Sequence, residues 1–293
     1  MKHSHIPALI LITIAVFGIC SISKAKSSLT KATSNQSIAS TTHDGLISEI
    51  VSINHDGRHI YGILTCSANV KGKRQPLAII AHGFNATHAV GNAYYRTLCD
   101  MGYQCFAFDF PYGSLNSKSD NNTMRMSVLT EQSDLEAVVE HFRRQPSVDK
   151  KQIMLIGESQ GGFVSSLVAS DMPNKISRLV LVFPALCIPD NWNARYPDAS
   201  SIPDTTWLWQ VPLGRDFFRE VRHIDAFKDM TRYKKPVLII QGDADHVVSV
   251  DDSHRAASLY KDAQLHIIHG AGHGFNAEQQ AEAQRVLKEF LQK

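Results

Sequence analysis

Two rhythms of apolar and polar residues run along this chain. The first is short: Leu46-Ile47-Ser48-Glu49-Ile50-Val51-Ser52-Ile53 alternates as a half-buried strand does. His55-Asp56-Gly57-Arg58 supplies turn chemistry, and a second strand follows over about 59–66. Together they predict an antiparallel hairpin closed by an Asp-Gly turn. The second rhythm fills the rest of the chain. Apolar runs at 77–81, 105–108, 153–156, 179–183, 237–240 and 265–268 alternate with amphipathic stretches at about 93–101, 131–144, 161–170, 252–260 and 277–291. In the last stretch Ala281, Val286, Leu287 and Phe290 form the expected apolar face. This is an α/β pattern, in which fully buried strands of a mostly parallel sheet carry helices on both faces. Two hairpin strands and six parallel ones make eight.

One segment breaks the rhythm. About fifty residues separate the runs ending at 183 and beginning at 237, more than a strand–helix–strand link needs. The segment holds all three tryptophans, Trp192, Trp207 and Trp209, with Tyr196, Phe217 and Phe218, and Pro184, Pro189, Pro197, Pro203 and Pro212 punctuate it. The reading is an inserted cap over about 188–218, since loops at the carboxyl ends of parallel strands are where such sheets bind ligands. The plainer alternative is an extra packing layer, and the tryptophans are then core.

The N-terminus is a different material. Lys2 and His3 precede an apolar run from Ile6 to about Cys20, and the small and polar residues up to Ala25 follow. That order predicts a secretory signal peptide over 1–25, too short in its apolar run for a membrane span of about 20 residues. Residues 26–43 are rich in Ser, Thr, Lys and Ala and read as a flexible leader. The folded domain is then 44–293, secreted or periplasmic, with no stable membrane partner once the signal is cleaved. A formal charge of +2 with no basic stripe argues against nucleic acid as a partner. Cys66, Cys99, Cys105 and Cys187 read as free thiols, since three of them lie in or beside strand-like runs and none has zinc-site or redox spacing. The sequence does not set an oligomeric state.

The candidate chemistry begins at Ile153-Met154-Leu155-Ile156-Gly157-Glu158-Ser159-Gln160-Gly161-Gly162, where an apolar strand ends in Gly-x-Ser-x-Gly and passes into a helical pattern. That context predicts a nucleophile elbow, a strained turn that exposes the Ser159 hydroxyl while Gly157 and Gly161 avoid a collision across it. A serine needs a base. Of 14 histidines, His273 in Gly270-Ala271-Gly272-His273-Gly274-Phe275 sits between the last strand and the last helix, where a loop of small residues can deliver it. His266, His269 and His273 also raise a metal cluster as an alternative, but strand spacing separates the first two, and neither metal nor organic cofactor is expected. Two aspartates follow the strand at 237–240: the spacing Gly-x-x-Asp favours Asp245 to orient the imidazole, with Asp243 as the alternative. Oxyanion donors are expected from the backbone N–H of Gln160 and, after His82-Gly83, of Phe84. His82 is read as a loop residue, not a base.

With these motifs in order, the chain resembles the α/β-hydrolase superfamily over about residues 46–291. Ala81-His82-Gly83-Phe84, Gly157-Glu158-Ser159-Gln160-Gly161-Gly162 and the aromatic cap are most similar to bacterial cinnamoyl and feruloyl esterases. The resemblance implies an α/β-hydrolase fold, a triad of Ser159, Asp245 and His273, oxyanion roles for Phe84 and Gln160, and hydrolysis of hydroxycinnamate esters, including those on plant polysaccharides. The chain departs from that family at Glu158, where His is frequent, and at Asp109-Phe110-Pro111-Tyr112-Gly113-Ser114, where Gly-x-Gly-x-Ser is frequent. Both departures bear on the preferred acyl group. Trp192, Trp207 and Trp209 are the candidate substrate contacts. The rivals are a peptidase or a lactone or carbon–carbon hydrolase of the same fold, and, from another class, a non-catalytic binding protein.

Overall fold

A computed structural model describes residues 40–293; the expected signal peptide and most of the leader lie outside the described residues. The strands are β1 (Ser40–His43), β2 (Leu46–His55), β3 (Arg58–Ser67), β4 (Gln75–Ala81), β5 (Gln104–Phe108), β6 (Val148–Glu158), β7 (Arg178–Val182), β8 (Thr205–Leu208), β9 (Val211–Gly214), β10 (Val237–Gly242) and β11 (Ala263–Ile268). The α-helices are α1 (Tyr95–Asp100), α2 (Val128–Arg143), α3 (Gln160–Asp171), α4 (Ile188–Arg195), α5 (Arg215–Arg219), α6 (Ala226–Asp229), α7 (Val250–Leu259) and α8 (Ala277–Leu291). No described helix is long and apolar enough to cross a membrane.

The main sheet has nine described strands in the order β1-β2-β3-β5-β4-β6-β7-β10-β11, not the eight expected. The extra strand, β1, lies in the stretch read as leader. Its Ser-Thr-Thr-His sequence carries no apolar residue and is exposed throughout, so periodicity cannot announce it. It is held by backbone pairing to β2 across a turn with Asp44 at φ 49° and Gly45 at φ 75°, the geometry that matches strand twist in a two-residue hairpin. The predicted second hairpin is present too, with Asp56 at φ 49° and Gly57 at φ 74°.

From β4 onward, neighbouring strands of the main sheet run parallel. The period of two divides each buried strand between two cores. In β4, Leu77 and Ile79 face the side covered by α2, α3 and α7, while Ala78 and Ile80 face α1 and α8. In α8 the buried residues are Ala283, Val286, Leu287 and Phe290; Ala281, expected inside, is exposed, because the buried four follow i, i+3, i+4, i+7 spacing and a residue two positions before Ala283 falls on the opposite face.

The parallel direction brings the ends of β4, β6, β7, β10 and β11 to one edge. The loops that leave this edge carry residues 82–84, 159, 183, 243–245 and 269–273. The long segment after β7 contributes α4, the β8–β9 hairpin and α5, built around an aromatic cluster in which Trp192 packs edge-on to Phe218 at 4.9 Å and Phe217 at 6.0 Å. Trp207 and Trp209, at the hairpin, remain 66% and 65% exposed. The three tryptophans therefore divide: one in a packed cluster, two at the surface.

Candidate active site

Ser159 occupies the single residue between β6 and α3, at φ 51° and ψ −118°. A side chain in this region of backbone space stores about 1–3 kcal/mol of strain, which the surroundings must overcome. The neighbours explain how. A Cβ on Gly157 would lie 2.3 Å from the carbonyl oxygen of Gly161, and one on Gly161 2.4 Å from those of Ala81 and His82. These are backbone obstacles with nowhere to go, so only glycine fits at either place. The Ser159 N–H donates to the carbonyl of Val182 at 3.0 Å, and its own carbonyl accepts from Gly162, Phe163 and Ala185.

The loop between β11 and α8 places His273 Nε2 at 2.9 Å from Ser159 Oγ, and its Nδ1 at 2.8 Å from Asp245 Oδ2. The Asp245 side chain is fully buried. It also accepts from the backbone N–H groups of Val247 and Val248 and from Nε2 of Gln241, at 2.8–3.0 Å. Burial pushes this carboxyl up, but the bond from His273 and the two amides outweigh it and hold it below the usual carboxylate value. An ionised Asp245 requires the proton on Nδ1, which leaves the Nε2 lone pair for the serine hydroxyl. Phe183 packs against the imidazole at 4.9 Å and is itself met edge-on by Phe275. Asp243, the alternative, is turned outward and bonds His269 and the N–H of Gly270. The three histidines weighed as a cluster go to separate partners, His266 to Glu282 and His269 to Asp243.

Gly83 approaches closely from the end of β4: a Cβ there would sit 3.0 Å from Ser159 Cβ and 3.6 Å from its Oγ. The N–H groups of Phe84 and Gln160 have no hydrogen-bond partner among the described residues, whereas the next one, of Asn85, donates to Gly113. Two backbone donors beside the serine, unpaired among the described residues, are the candidate anion receptor. His82 braces this loop from below. Its Nε2 accepts from the N–H of Phe110, which fixes the tautomer, so Nδ1–H donates to the Gly83 carbonyl at 2.7 Å. Desolvation lowers its basicity and keeps it neutral. The ring of Phe84 meets Trp209 edge-on at 5.7 Å and Phe217 at 6.1 Å, which connects the receptor loop to the hairpin. Trp192 in turn meets Phe217 edge-on.

Three further groups bear on the site; Glu158 and Asp109 stood out in the sequence only as departures from the esterase pattern, and Tyr94 and Glu131 left no mark at all. Tyr94 donates to Glu158 Oε1 at 2.5 Å, beside the serine; burial raises this carboxyl, with Tyr94 and His273 acting against it. Asp109, buried, accepts from the ring and backbone of His88 and from the N–H of Lys118, tying the 109–118 loop to the receptor loop. Glu131 lies under Gln160. An acid in a helix's first turn is too ordinary to signal such a role, and pairings over 21 to 64 residues have no local signature.

A strained serine between strand and helix, with an aspartate and a histidine on the two following loops of one sheet edge, defines an α/β-hydrolase. The prolyl oligopeptidase family model matches residues 92–293, and the chain belongs to that family. Among curated proteins, the chain is similar to a Mycoplasma genitalium protein whose given name is that of an esterase/lipase, 29% identical over 170 residues, covering 55% of this chain and 59% of that one. It is also similar to a non-heme chloroperoxidase of Kitasatospora aureofaciens, 30% identical over 95 residues, 29% of this chain and 34% of the other. The matched stretches thus span less than two thirds of either relative. Among solved structures, Est1E of Butyrivibrio proteoclasticus with ferulic acid bound superposes with a TM-score of 0.76 at 27% identity, covering 82% of this chain and 97% of that one.

Proposed function

We propose that the chain is a serine carboxylic-ester hydrolase that works through an acyl-enzyme, with Ser159 as nucleophile, His273 as base and acid, and Asp245 as its orienting partner. The observation that carries this reading is the continuous relay from Ser159 Oγ to His273 to Asp245, at 2.9 and 2.8 Å. In the first half-reaction Ser159 Oγ attacks the ester carbonyl and gives its proton to His273 Nε2. The carbonyl oxygen takes the negative charge between the N–H groups of Phe84 and Gln160. As the tetrahedral intermediate collapses, His273 returns the proton to the leaving alcohol. Water then repeats the sequence on the acyl-enzyme. The residues invoked need no metal or organic cofactor.

For the substrate, the reading is a hydroxycinnamate ester, free or linked to a plant polysaccharide. It is supported by the ferulic acid in the Est1E structure and by the aromatic residues that join Phe84 of the receptor loop to Trp209 and, through Phe217, to Trp192; Trp207, exposed on the same hairpin as Trp209, is the third candidate contact. The chain is exported by residues 1–25 and acts in the periplasm or outside the cell. The name of the family favours a second reading, a peptidase using the same relay.

The test compares wild type with Ser159→Ala on methyl ferulate, p-nitrophenyl acetate and a prolyl p-nitroanilide. Ester turnover in wild type, abolished by S159A without loss of fold, supports the proposal. Ester hydrolysis undiminished in S159A rejects the mechanism, and anilide cleavage alone would favour the peptidase. Methyl ferulate turned over no better than the acetyl ester removes the hydroxycinnamate assignment.

A further inference from the structure

Glu131 is a carboxyl group with almost no access to solvent, 1% exposed, in the first turn of α2. Both its oxygens lie 2.9 Å from Nε2 of Gln160, the residue that follows the nucleophile. Met126 Sδ is the other neighbour of that amide, at 3.7 Å. Gly113 packs so near that a Cβ on it would come within 3.2 Å of Glu131 Oε1. No cation pairs with the group among the described residues. Arg58 is taken by Asp134, a turn further along α2, and Arg125 lies over the ring of Tyr112. The acids nearby are that same Asp134 and Glu220, which accepts the Ser127 hydroxyl at the helix N-cap. The 110–114 loop brings only Tyr112 as a titratable side chain, and the elbow brings Gln160.

Resting on the acyl-enzyme reading above, we propose that Glu131 is a positioning residue for the oxyanion receptor: as a neutral acid it holds the Gln160 side chain, and with it the backbone N–H that receives the oxyanion, while its ionisation turns the site off. The physical reason is charge. An ionised Glu131 would place an uncompensated negative charge one glutamine side chain from the atom on which the reaction builds another, with little water to screen them. Burial opposes that ionisation. It pushes the carboxyl up to about 8, with Asp134 adding to the effect and the Gln160 amide only partly countering it. The site is therefore at its best below this value.

The experiment measures kcat and KM for p-nitrophenyl butyrate from about pH 6 to 10 in the full chain, wild type and Glu131→Gln. Wild-type kcat is expected to fall on the order of tenfold above about pH 8. E131Q is expected to lose about threefold to tenfold in kcat at pH 7, with KM within about twofold, and to show no alkaline fall. A wild-type kcat that stays level to pH 10, which needs no variant, overturns the proposal. So does an alkaline fall that E131Q shares. Hydrolysis surviving in S159A sinks the catalytic reading itself, whereas a shared alkaline fall with S159A inactive sinks only the role of Glu131.

Discussion

The loops after β10 and β11 meet in two Asp–His pairs that are nearly identical on paper. Asp243 and His269 are 2.7 Å apart, Asp245 and His273 2.8 Å. The first pair is open to water, with the His269 side chain 90% exposed; in the second the aspartate is fully buried and the histidine 21% exposed. The outer pair has a single backbone amide in support, from Gly270. The inner one has two backbone amides, a glutamine and, beyond the imidazole, the serine. Distance alone does not separate a relay from a surface ion pair. What separates them is a shielded carboxylate with enough donors to stay charged, and a third group in line. Glu131 extends the lesson: more deeply buried as a residue and given one amide donor, it is driven toward its neutral form, where Asp245 is held ionised.

The comparison breaks or sharpens through variants of the two pairs and their surroundings. The largest effect is expected from His273→Ala, a loss of about 10⁴–10⁶ in kcat on p-nitrophenyl butyrate, because removing the base leaves only the oxyanion receptor and binding. Asp245→Asn should follow, with a loss of about 10⁴, since an amide can present its N–H to Nδ1 and reverse the tautomer. Equal losses from Asp243→Asn or His269→Ala would erase the distinction between the pairs. Gly83→Ala should cost about 10²-fold in kcat while the fold persists, because its methyl would press on Ser159 Cβ at 3.0 Å; unaltered kinetics would mean the loop relaxes freely.

A stability measurement sharpens the contrast between the two buried acids. The unfolded chain ionises Glu131 from about its ordinary 4.5, while the folded chain keeps the proton to about 8. The folded state binds more protons in this window, so wild-type stability falls as pH rises from about 4.5 to 8. E131Q removes this slope. Relative to wild type it should gain on the order of 5 kcal/mol between those limits by urea titration, and parallel curves would show that Glu131 ionises normally. The smallest effect is expected from His269→Ala: kcat within about twofold of wild type and an unshifted melting temperature, as exposed ion pairs contribute little.

Much of the fold could be read before any coordinates. Each of the six apolar runs marks a parallel strand, save that Phe183 falls just past the end of β7, and the Asp56-Gly57 turn closes its hairpin. Positions 159, 245 and 273 are local events in the chain, each a short motif following a strand. The ninth strand was illegible, because Ser40–His43 buries nothing and is recruited by backbone pairing alone. Ala281 belongs outside because the strict i, i+3, i+4, i+7 spacing of α8 selects Ala283 for the buried face in its place.

What the sequence determined by itself is the steric part. Glycines at 157 and 161 are demanded by a turn of a few residues, and alternating apolar runs demand a sheet covered on both faces. Only the tertiary structure decided which of two aspartates meets which histidine, that Trp192 packs while Trp207 and Trp209 stay exposed, and that Glu131 lies beneath Gln160. Those outcomes depend on how much water, and how many donors, remain around a group once distant segments close over it. Residues far apart in the chain supply both, so no local pattern of residues encodes them.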